Sequence, residues 1–226
     1  MKIALIGLDG SGKSANIDIM KQDKDYSNFK FLWVRWQPSI TVFLYKLKHR
    51  NDSVGERKSN HQAQKKYDSL NKSYMHKKKI KNTVFGLPFV RRLWMAFAIK
   101  DYKRQFYKKT KSYDLENDRI IFDRYFLDLF VDQGINFNYT PEQILKEIQK
   151  YKDKFPIIDK TIYIRVSPKV CYQRKDDIPN MEYLEYRYKI YEFLAKELLW
   201  TIVDGEKDLA TVNSDIKNSI LGLEER

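Results

Sequence analysis

A glycine-rich run near the N-terminus, "GLDGSGKS" from Gly7 to Ser14, contains the residue types needed to hold a phosphate chain. Its spacing fits G-x-x-x-x-G-K-[ST], after an apolar run typical of a strand and before a helical pattern. Glycines let backbone N–H groups converge on phosphate oxygens, Lys13 adds positive charge, and the Ser14 hydroxyl can ligate Mg²⁺. A turn that merely joins a strand to a helix is the alternative, but the full match favours a bound nucleotide.

A second apolar run, "DRIIFD" at 118–123, ends in an acidic residue. Asp123 would lie at the carboxyl end of a strand, where a carboxylate can hold Mg²⁺ directly or through water. Arg124 follows it and can pair with a phosphate oxygen. An aspartate that caps a helix, followed by an arginine on the surface, would also explain these two residues. The phosphate loop earlier in the chain favours the magnesium interpretation.

Motifs of other nucleotide-binding classes are missing from the sequence. No N/T-K-x-D follows a strand, as a GTPase would require, and no strand ends in D-E, as in many motor ATPases. Phosphoryl transfer to a small molecule is therefore the leading hypothesis. A nucleotide-switched regulatory or nucleic-acid-binding protein is the alternative from a different class.

The composition predicts a single soluble domain over residues 1–226. Hydrophobic residues make up 42% and aromatic residues 15% of the 226 residues, which is enough for a sizeable core. The one cysteine, Cys171, excludes an internal disulfide and favours a reducing compartment. No apolar run approaches membrane-spanning length and the first is too short for a signal peptide, so we expect a cytoplasmic protein.

The net charge of +13 is concentrated in one segment. Residues 46–111 contain 20 Lys or Arg against 4 Asp or Glu, and the rest of the chain is slightly acidic. A solvated lysine-rich face is one explanation, and steering of anionic substrates is another. A nonspecific anionic partner, nucleic acid or lipid, is the third, through "HKKKIKN" (76–82), Lys65, Lys66, Arg91 and Arg92.

Short apolar runs alternate with helical periodicity along the chain, which favours an α/β fold with a five-stranded parallel sheet flanked by helices. The predicted strands are 2–7, 30–36, 118–123, 160–166 and 199–205. The predicted helices are 11–22, 39–50, 88–113, 124–134 (ended by Gly134), 140–155, a short one from 167, 180–198 and 208–225. A basic insertion is expected at about 51–82 and a lid at about 174–181.

"GLDGSGKS" followed by "DRYFLDLFVDQG" resembles the thymidylate kinase family, with its G-[LVI]-[DE]-G-x-G-K-[ST] loop and D-R-Y-x-x-S-x-x-A-Y-Q-G segment. The resemblance implies a P-loop NTPase fold and ATP-dependent, Mg²⁺-supported phosphorylation of a nucleoside monophosphate. Among the monophosphates, dTMP is the leading candidate acceptor. A kinase of the same fold that acts on a nucleoside, or on another hydroxyl or phosphate, is the alternative. The resemblance also implies a possible homodimer.

The resemblance assigns roles to residues of this chain. It implies that ATP is held by Asp9, Gly10, Ser11, Gly12, Lys13 and Ser14, and Mg²⁺ by Ser14 and Asp123. It implies that the acceptor is bound by Asp9, Arg35, Phe97, Arg124, Asp128 and Gln133. The catalytic set becomes Lys13, Asp9, Asp123, Arg124 and a lid cation, Arg174 or Lys175, because the loop itself carries no arginine.

The departures from the family pattern fall on the acceptor side. Asp128 replaces the family's serine and Asp132 its tyrosine, the segment "VRWQPSITV" lacks the family's glutamate and paired glycines, and the lid lacks a run of arginines. If Asp128 faces the acceptor, a neutral hydroxyl would suit it better than a phosphate. Because Asp128 and Asp132 are four residues apart, a shared solvated helix face is the other interpretation.

Overall fold

The structure, a computed structural model, describes residues 1–39 and 83–222. Within them, five strands form one parallel sheet in the spatial order β2-β3-β1-β4-β5. The strands are Lys2–Ile6 (β1), Phe29–Trp33 (β2), Arg119–Asp123 (β3), Lys160–Arg165 (β4) and Thr201–Asp204 (β5). The predicted five-stranded parallel sheet is therefore confirmed.

Helices connect the strands, as parallel pairing requires. They are Lys13–Met20 (α1), Pro88–Thr110 (α2), Phe126–Asn136 (α3), Pro141–Tyr151 (α4), Pro168–Arg174 (α5), Met181–Glu197 (α6) and Leu209–Leu221 (α7). Short 3₁₀ turns lie at Lys24–Tyr26 and Lys152–Lys154. The capping box predicted from Thr140 and Gln143 is present at the start of α4.

The central strand β1 explains why the sheet forms. Its residues from Ile3 to Ile6 have no exposed surface, so an uninterrupted apolar run is needed to fill both faces of the strand. Leu5 and Trp33 both lie in register with Asp123. The carboxyl ends of β1, β2 and β3 are therefore level, and the residues that follow them share one edge of the sheet.

The predicted start and end of α3 were both wrong. Arg124 has a left-handed φ of 67° and Tyr125 is extended, so the helix begins at Phe126. The helix also continues through Gly134 to Asn136. A Cβ at Gly134 would lie 2.3 Å from the side chain of Ile144, so this glycine permits close packing of α3 on α4 and does not end the helix.

Smaller boundary differences occur elsewhere. Strand β2 ends at Trp33, before the predicted 36, and the helix predicted at 140–155 gives way to a 3₁₀ turn after Tyr151. The helix predicted at 39–50 and the insertion at 51–82 lie outside the described residues, except for Ser39. Among the helices of the described ranges, none has the length and apolar character to cross a membrane.

Candidate active site

The loop between β1 and α1 is shaped by glycines. Gly10 and Gly12 have φ values of 90° and 86°, in the region that side chains rarely tolerate. A Cβ at Gly10 would also lie 2.6 Å from the carbonyl oxygen of Cys171 in α5. The loop therefore packs tightly on α5 and leads directly into the N-terminus of α1, where backbone N–H groups favour anions.

Lys13 is enclosed by this loop. Its Nζ donates to the carbonyl oxygens of Gly7 (3.0 Å) and Leu8 (2.6 Å) and to Oγ of Ser11 (3.0 Å). Burial, with a further contribution from Arg124, lowers the pKa of Lys13 to about 7. The ammonium thus sits among acceptors that phosphate oxygens could replace.

Asp123 and Ser14 lie next to each other at the end of β3 and the start of α1. The Ser14 hydroxyl donates to Oδ2 of Asp123 at 3.5 Å, while the other carboxylate oxygen is buried without a hydrogen-bond partner. Burial raises the pKa of Asp123, which a nearby divalent cation would reverse. The described ranges contain no group of three or more His, Cys, Asp or Glu side chains that could hold a metal ion. This pair suits Mg²⁺, which takes most of its ligands from phosphates and water.

Three arginines and three aspartates lie together beside the loop, and we call them the acceptor-side cluster. Asp9 comes from the loop itself and Arg35 from the segment after β2. The remaining members come from the end of β3, from α3 and from α6; they are Arg124, Asp128, Asp132 and Arg187. Every member is in an ion pair with another member.

Arg124 is the buried centre of the cluster. Its guanidinium donates to Asp9 and, at 2.8 Å, to Oδ1 of Asp128. Asp128 is 1% exposed and also accepts from the Tyr191 hydroxyl at 2.6 Å. Although burial opposes it, Arg124 and Tyr191 hold the pKa of Asp128 below its ordinary value. The solvated-face interpretation of Asp128 is therefore wrong, and this carboxylate positions Arg124.

Arg187 was missed by the sequence analysis. Its side chain is 2% exposed and donates to Asp132, while Nε and one terminal nitrogen are buried without hydrogen-bond partners among the described residues. Its guanidinium carbon lies 5.2 Å from the ring centre of Tyr183, whose hydroxyl donates to Asp9 at 3.3 Å. Arg35 bridges Asp9 and Asp132 at 3.6 Å each, so both arginines border the same space.

An aromatic wall continues from the cluster toward α2. Oε1 of the buried Gln133 accepts from the indole N–H of Trp94 at 2.8 Å. Trp94 lies against Phe97 and Trp36, with ring centroids 5.6 and 6.4 Å away. The predicted acceptor residues Phe97 and Gln133 are thus brought together by a tryptophan that the sequence analysis had not singled out.

Arg174 lies away from these contacts. It is the last residue of α5, and its guanidinium donates to the carbonyl oxygen of Gly205 at 2.9 Å. Lys175, the other lid candidate, pairs with Asp177 at 3.2 Å. Delivery of a lid cation to a transferring phosphoryl group stays a prediction.

Comparison with known proteins adds a sequence relative and a shared fold, although no family model matches the chain. Thymidylate kinase from Prochlorococcus marinus subsp. pastoris is 29% identical over 121 residues, which cover 50% of this chain and 56% of that protein. The chain thus matches only about half the length of this relative. It resembles a thymidylate kinase-like P-loop kinase.

Two solved structures share the fold across nearly the whole chain. Deoxyadenosine kinase from M. mycoides with bound dATP has a TM-score of 0.53 at 20% identity, covering 97% of this chain and 99% of that one. Thymidylate kinase from Ehrlichia chaffeensis has a TM-score of 0.53 at 14% identity, covering 98% of each chain. These likenesses confirm the predicted P-loop α/β fold.

Proposed function

We propose that this chain transfers the terminal phosphoryl group of ATP to a nucleoside monophosphate, with dTMP as the first acceptor. The observation that carries this proposal is Asp9, which belongs to the phosphate loop and also contacts Arg35 and Arg124. A donor cradle and a cationic acceptor cluster are therefore contiguous. With ATP as its donor, the chain would act in the cytoplasm.

On the donor side, the backbone N–H groups of the loop and the ammonium of Lys13 would hold the ATP phosphates. Ser14 and Asp123 would hold Mg²⁺, which neutralises charge on the phosphate oxygens when bound. The acceptor's phosphate oxygen would attack the terminal phosphorus of ATP, and the bond from that phosphorus to the oxygen of departing ADP would break. Because this chemistry depends mainly on alignment and charge, well-placed cations are what the protein must supply.

On the acceptor side, Arg35, Arg124 and Arg187 would bind the phosphate of the monophosphate. Two buried nitrogens of Arg187 have no hydrogen-bond partner in the described part of the chain, and a phosphate oxygen that reached them would supply one. The carboxylate of Asp9 would accept a hydrogen bond from a sugar hydroxyl, and the wall of Trp94 and Phe97 would contact the base.

A nucleoside is the second candidate acceptor. Each arginine of the acceptor-side cluster is already paired with an aspartate, so the six formal charges cancel. A neutral hydroxyl could enter without breaking these pairs, whereas a phosphate must compete with the carboxylates. One structure of similar fold is named a deoxyadenosine kinase, which gives this candidate a specific acceptor to test.

A coupled assay of ADP release distinguishes the two candidates. The acceptors compared are dTMP and other nucleoside monophosphates on one side, and the nucleosides thymidine and deoxyadenosine on the other. We expect kcat/KM for dTMP to exceed that for thymidine by about 100-fold, as charge-assisted contacts to the phosphate would require. Higher kcat/KM for a nucleoside would reassign the acceptor and leave the donor site intact. Absence of turnover with every acceptor would reject the kinase proposal.

Replacing Arg35 with glutamine should weaken the binding of dTMP far more than the binding of ATP. Arg35 is 29% exposed, so the change should leave the fold intact, and the lost charged contact predicts a 10- to 100-fold rise in KM for dTMP (about 1.5–3 kcal/mol). KM for ATP should change less than about twofold, and so should KM for thymidine if it is a slow acceptor. An equal rise in KM for ATP would mean that Arg35 does not face the acceptor.

Binding of Mg-ATP should take up a proton at pH 8. Lys13, with a pKa of about 7, is mostly neutral at that pH, and contact with phosphate favours its ammonium form. Calorimetric titration in buffers of different ionisation enthalpy should show net proton uptake at pH 8 and clearly less uptake at pH 6. The Lys13→Ala variant is the control, and heats at pH 8 that do not depend on the buffer would contradict the prediction.

A further inference from the structure

A groove runs between α2 and α4, on a different part of the surface from the acceptor-side cluster. It consists of two adjoining pockets of about 520 and 400 Å³ that share Tyr151 in their lining. No member of the acceptor-side cluster lines either pocket. We call it the basic groove because it is lined by seven cationic residues, Arg91, Arg92, Lys100, Lys103, Lys146, Lys150 and Lys154.

The charge of the basic groove is almost unopposed. Of the residues that the structure describes, Glu147 is the one acidic residue in the lining of the two pockets. Within residues 1–39 and 83–222, none of the seven cations forms an ion pair within 4 Å. A merely solvated lysine-rich face would spread its charges over convex helix surfaces, whereas these side chains converge on a concave surface, where the positive potential is focused.

Aromatic rings lie among the cations of the groove. The guanidinium of Arg91 is 5.6 Å from the ring centre of Tyr139, and its buried Nε has no hydrogen-bond partner within the described ranges. The ammonium groups of Lys150 and Lys154 each lie 4.9 Å from the ring centre of Tyr151. Phe130 stacks on Tyr151 with ring centroids 5.9 Å apart, so bases of an unpaired strand would contact ring edges while their phosphates meet the charges.

The length of the groove suits a strand of several nucleotides. Its lining on α2 extends from Pro88 to Lys103, which corresponds to about 22 Å at the ~1.5 Å rise of a helix. That distance is long enough for several nucleotides of one strand. A single mononucleotide would fill only one of the two pockets.

We propose that the basic groove binds single-stranded nucleic acid through its phosphate backbone, without strong sequence preference. Lysine outnumbers arginine five to two in the groove, and lysine contacts phosphate as a point charge with little base readout. A second copy of this chain is a poor occupant, because a symmetric contact would bring like charges together. A flat lipid surface fits a concave groove less well than a single strand does.

The test uses the full chain and a fluorescein-labelled 20-nucleotide oligo-dT, with binding followed by anisotropy between 50 and 200 mM salt. If each of the seven cations neutralises one phosphate, the slope of log K against log salt reaches its limit near −5 (about −0.7 per contact). Lys146→Glu/Lys150→Glu should weaken binding at least 10-fold and flatten the slope by about 1.4 units. Lys100→Glu/Lys103→Glu, which changes the other wall, should behave the same way if the first variant folds poorly.

The matched control is Lys24→Glu/Lys196→Glu, which alters net charge equally at two exposed positions outside the groove. We expect at most a twofold loss of affinity for it. Equal losses of affinity in the control and groove variants, or no loss in either groove variant, would overturn the proposal.

Other occupants of the groove would give different results. Displacement of the oligonucleotide by stoichiometric dTTP would identify a mononucleotide site instead, and tighter binding to phosphatidylserine vesicles would identify a membrane site. Dimer formation lost on charge reversal in the groove would identify a contact between copies; each of these results contradicts the proposal.

Discussion

Replacing Lys13 with alanine is expected to reduce kcat for phosphoryl transfer about 1,000-fold while the chain still folds. The ammonium is the cation that the phosphate loop surrounds, and its three hydrogen bonds end on acceptors of the loop itself. Phosphoryl transfer gains its rate from charges placed around the reacting phosphate, so removal of this charge should affect kcat more than KM for the acceptor.

Lys21→Ala is the matched control for this experiment. Lys21 directly follows α1 and forms an exposed pair with Asp18, with 50% and 67% of the two side chains exposed. Such pairs contribute little to stability, so its kcat and melting temperature should stay close to those of the unchanged chain. Measurement of kcat by ADP release settles the matter: if Lys13→Ala keeps more than a tenth of the activity, the donor cradle has been assigned wrongly.

The phosphate loop and the sheet were predictable because their signals are local. A strand that is buried on both faces needs an apolar run, and a phosphate loop needs glycines at fixed positions beside a lysine. Both patterns lie within about ten residues of sequence, and Gly10 and Gly12 adopt the backbone angles that their residue type suggested. The boundary errors at Arg124 and Gly134 arose where a tertiary contact overrides local preference, such as the approach of Ile144 to Gly134.

The acceptor side could be predicted only in part, because its charges meet across long stretches of chain. Asp132 and Arg187 are 55 residues apart, and "YLEYRYKIY" gives no sign that its arginine points inward. Asp128 was recognised as unusual, but its burial follows from the pairing with Arg124 and Tyr191, which sequence periodicity cannot reveal. In the function proposed above, the identity of the acceptor depends on this network, so the sequence indicates a kinase more firmly than it indicates a substrate.

Replacing Arg124 with methionine should destabilise the fold by about 3–5 kcal/mol, since Asp128 would be left as a buried, unpaired charge. In the folded protein Arg124 is 7% exposed and pairs with Asp9 and Asp128. For a domain of this size the loss corresponds to a fall in Tm of roughly 10 °C. Arg165→Met is the matched control, because Arg165 is 45% exposed, pairs with the 32% exposed Glu192, and should change stability by less than about 1 kcal/mol when replaced.

The pairing argument also predicts a partial rescue. Adding Asp128→Asn to Arg124→Met removes the unpaired carboxylate but keeps an oxygen that can accept from the Tyr191 hydroxyl, so at least half of the lost stability should return while kcat stays low.

The pH dependence of this stability has a definite sign. Arg124 holds the pKa of Asp128 below its ordinary value, so this stabilisation is present above about pH 4 and is lost as the pH falls further. The stability deficit of Arg124→Met should therefore be full at pH 7 and shrink toward pH 4, where the unpaired carboxyl takes up a proton. Urea denaturation at pH 4, 5.5 and 7 measures both the rescue and the pH dependence. The proteins compared are the unchanged chain, Arg124→Met, Arg124→Met/Asp128→Asn and the control Arg165→Met. A deficit that does not change with pH, or a double variant no more stable than Arg124→Met, would show that Asp128 does not depend on Arg124 for its charge.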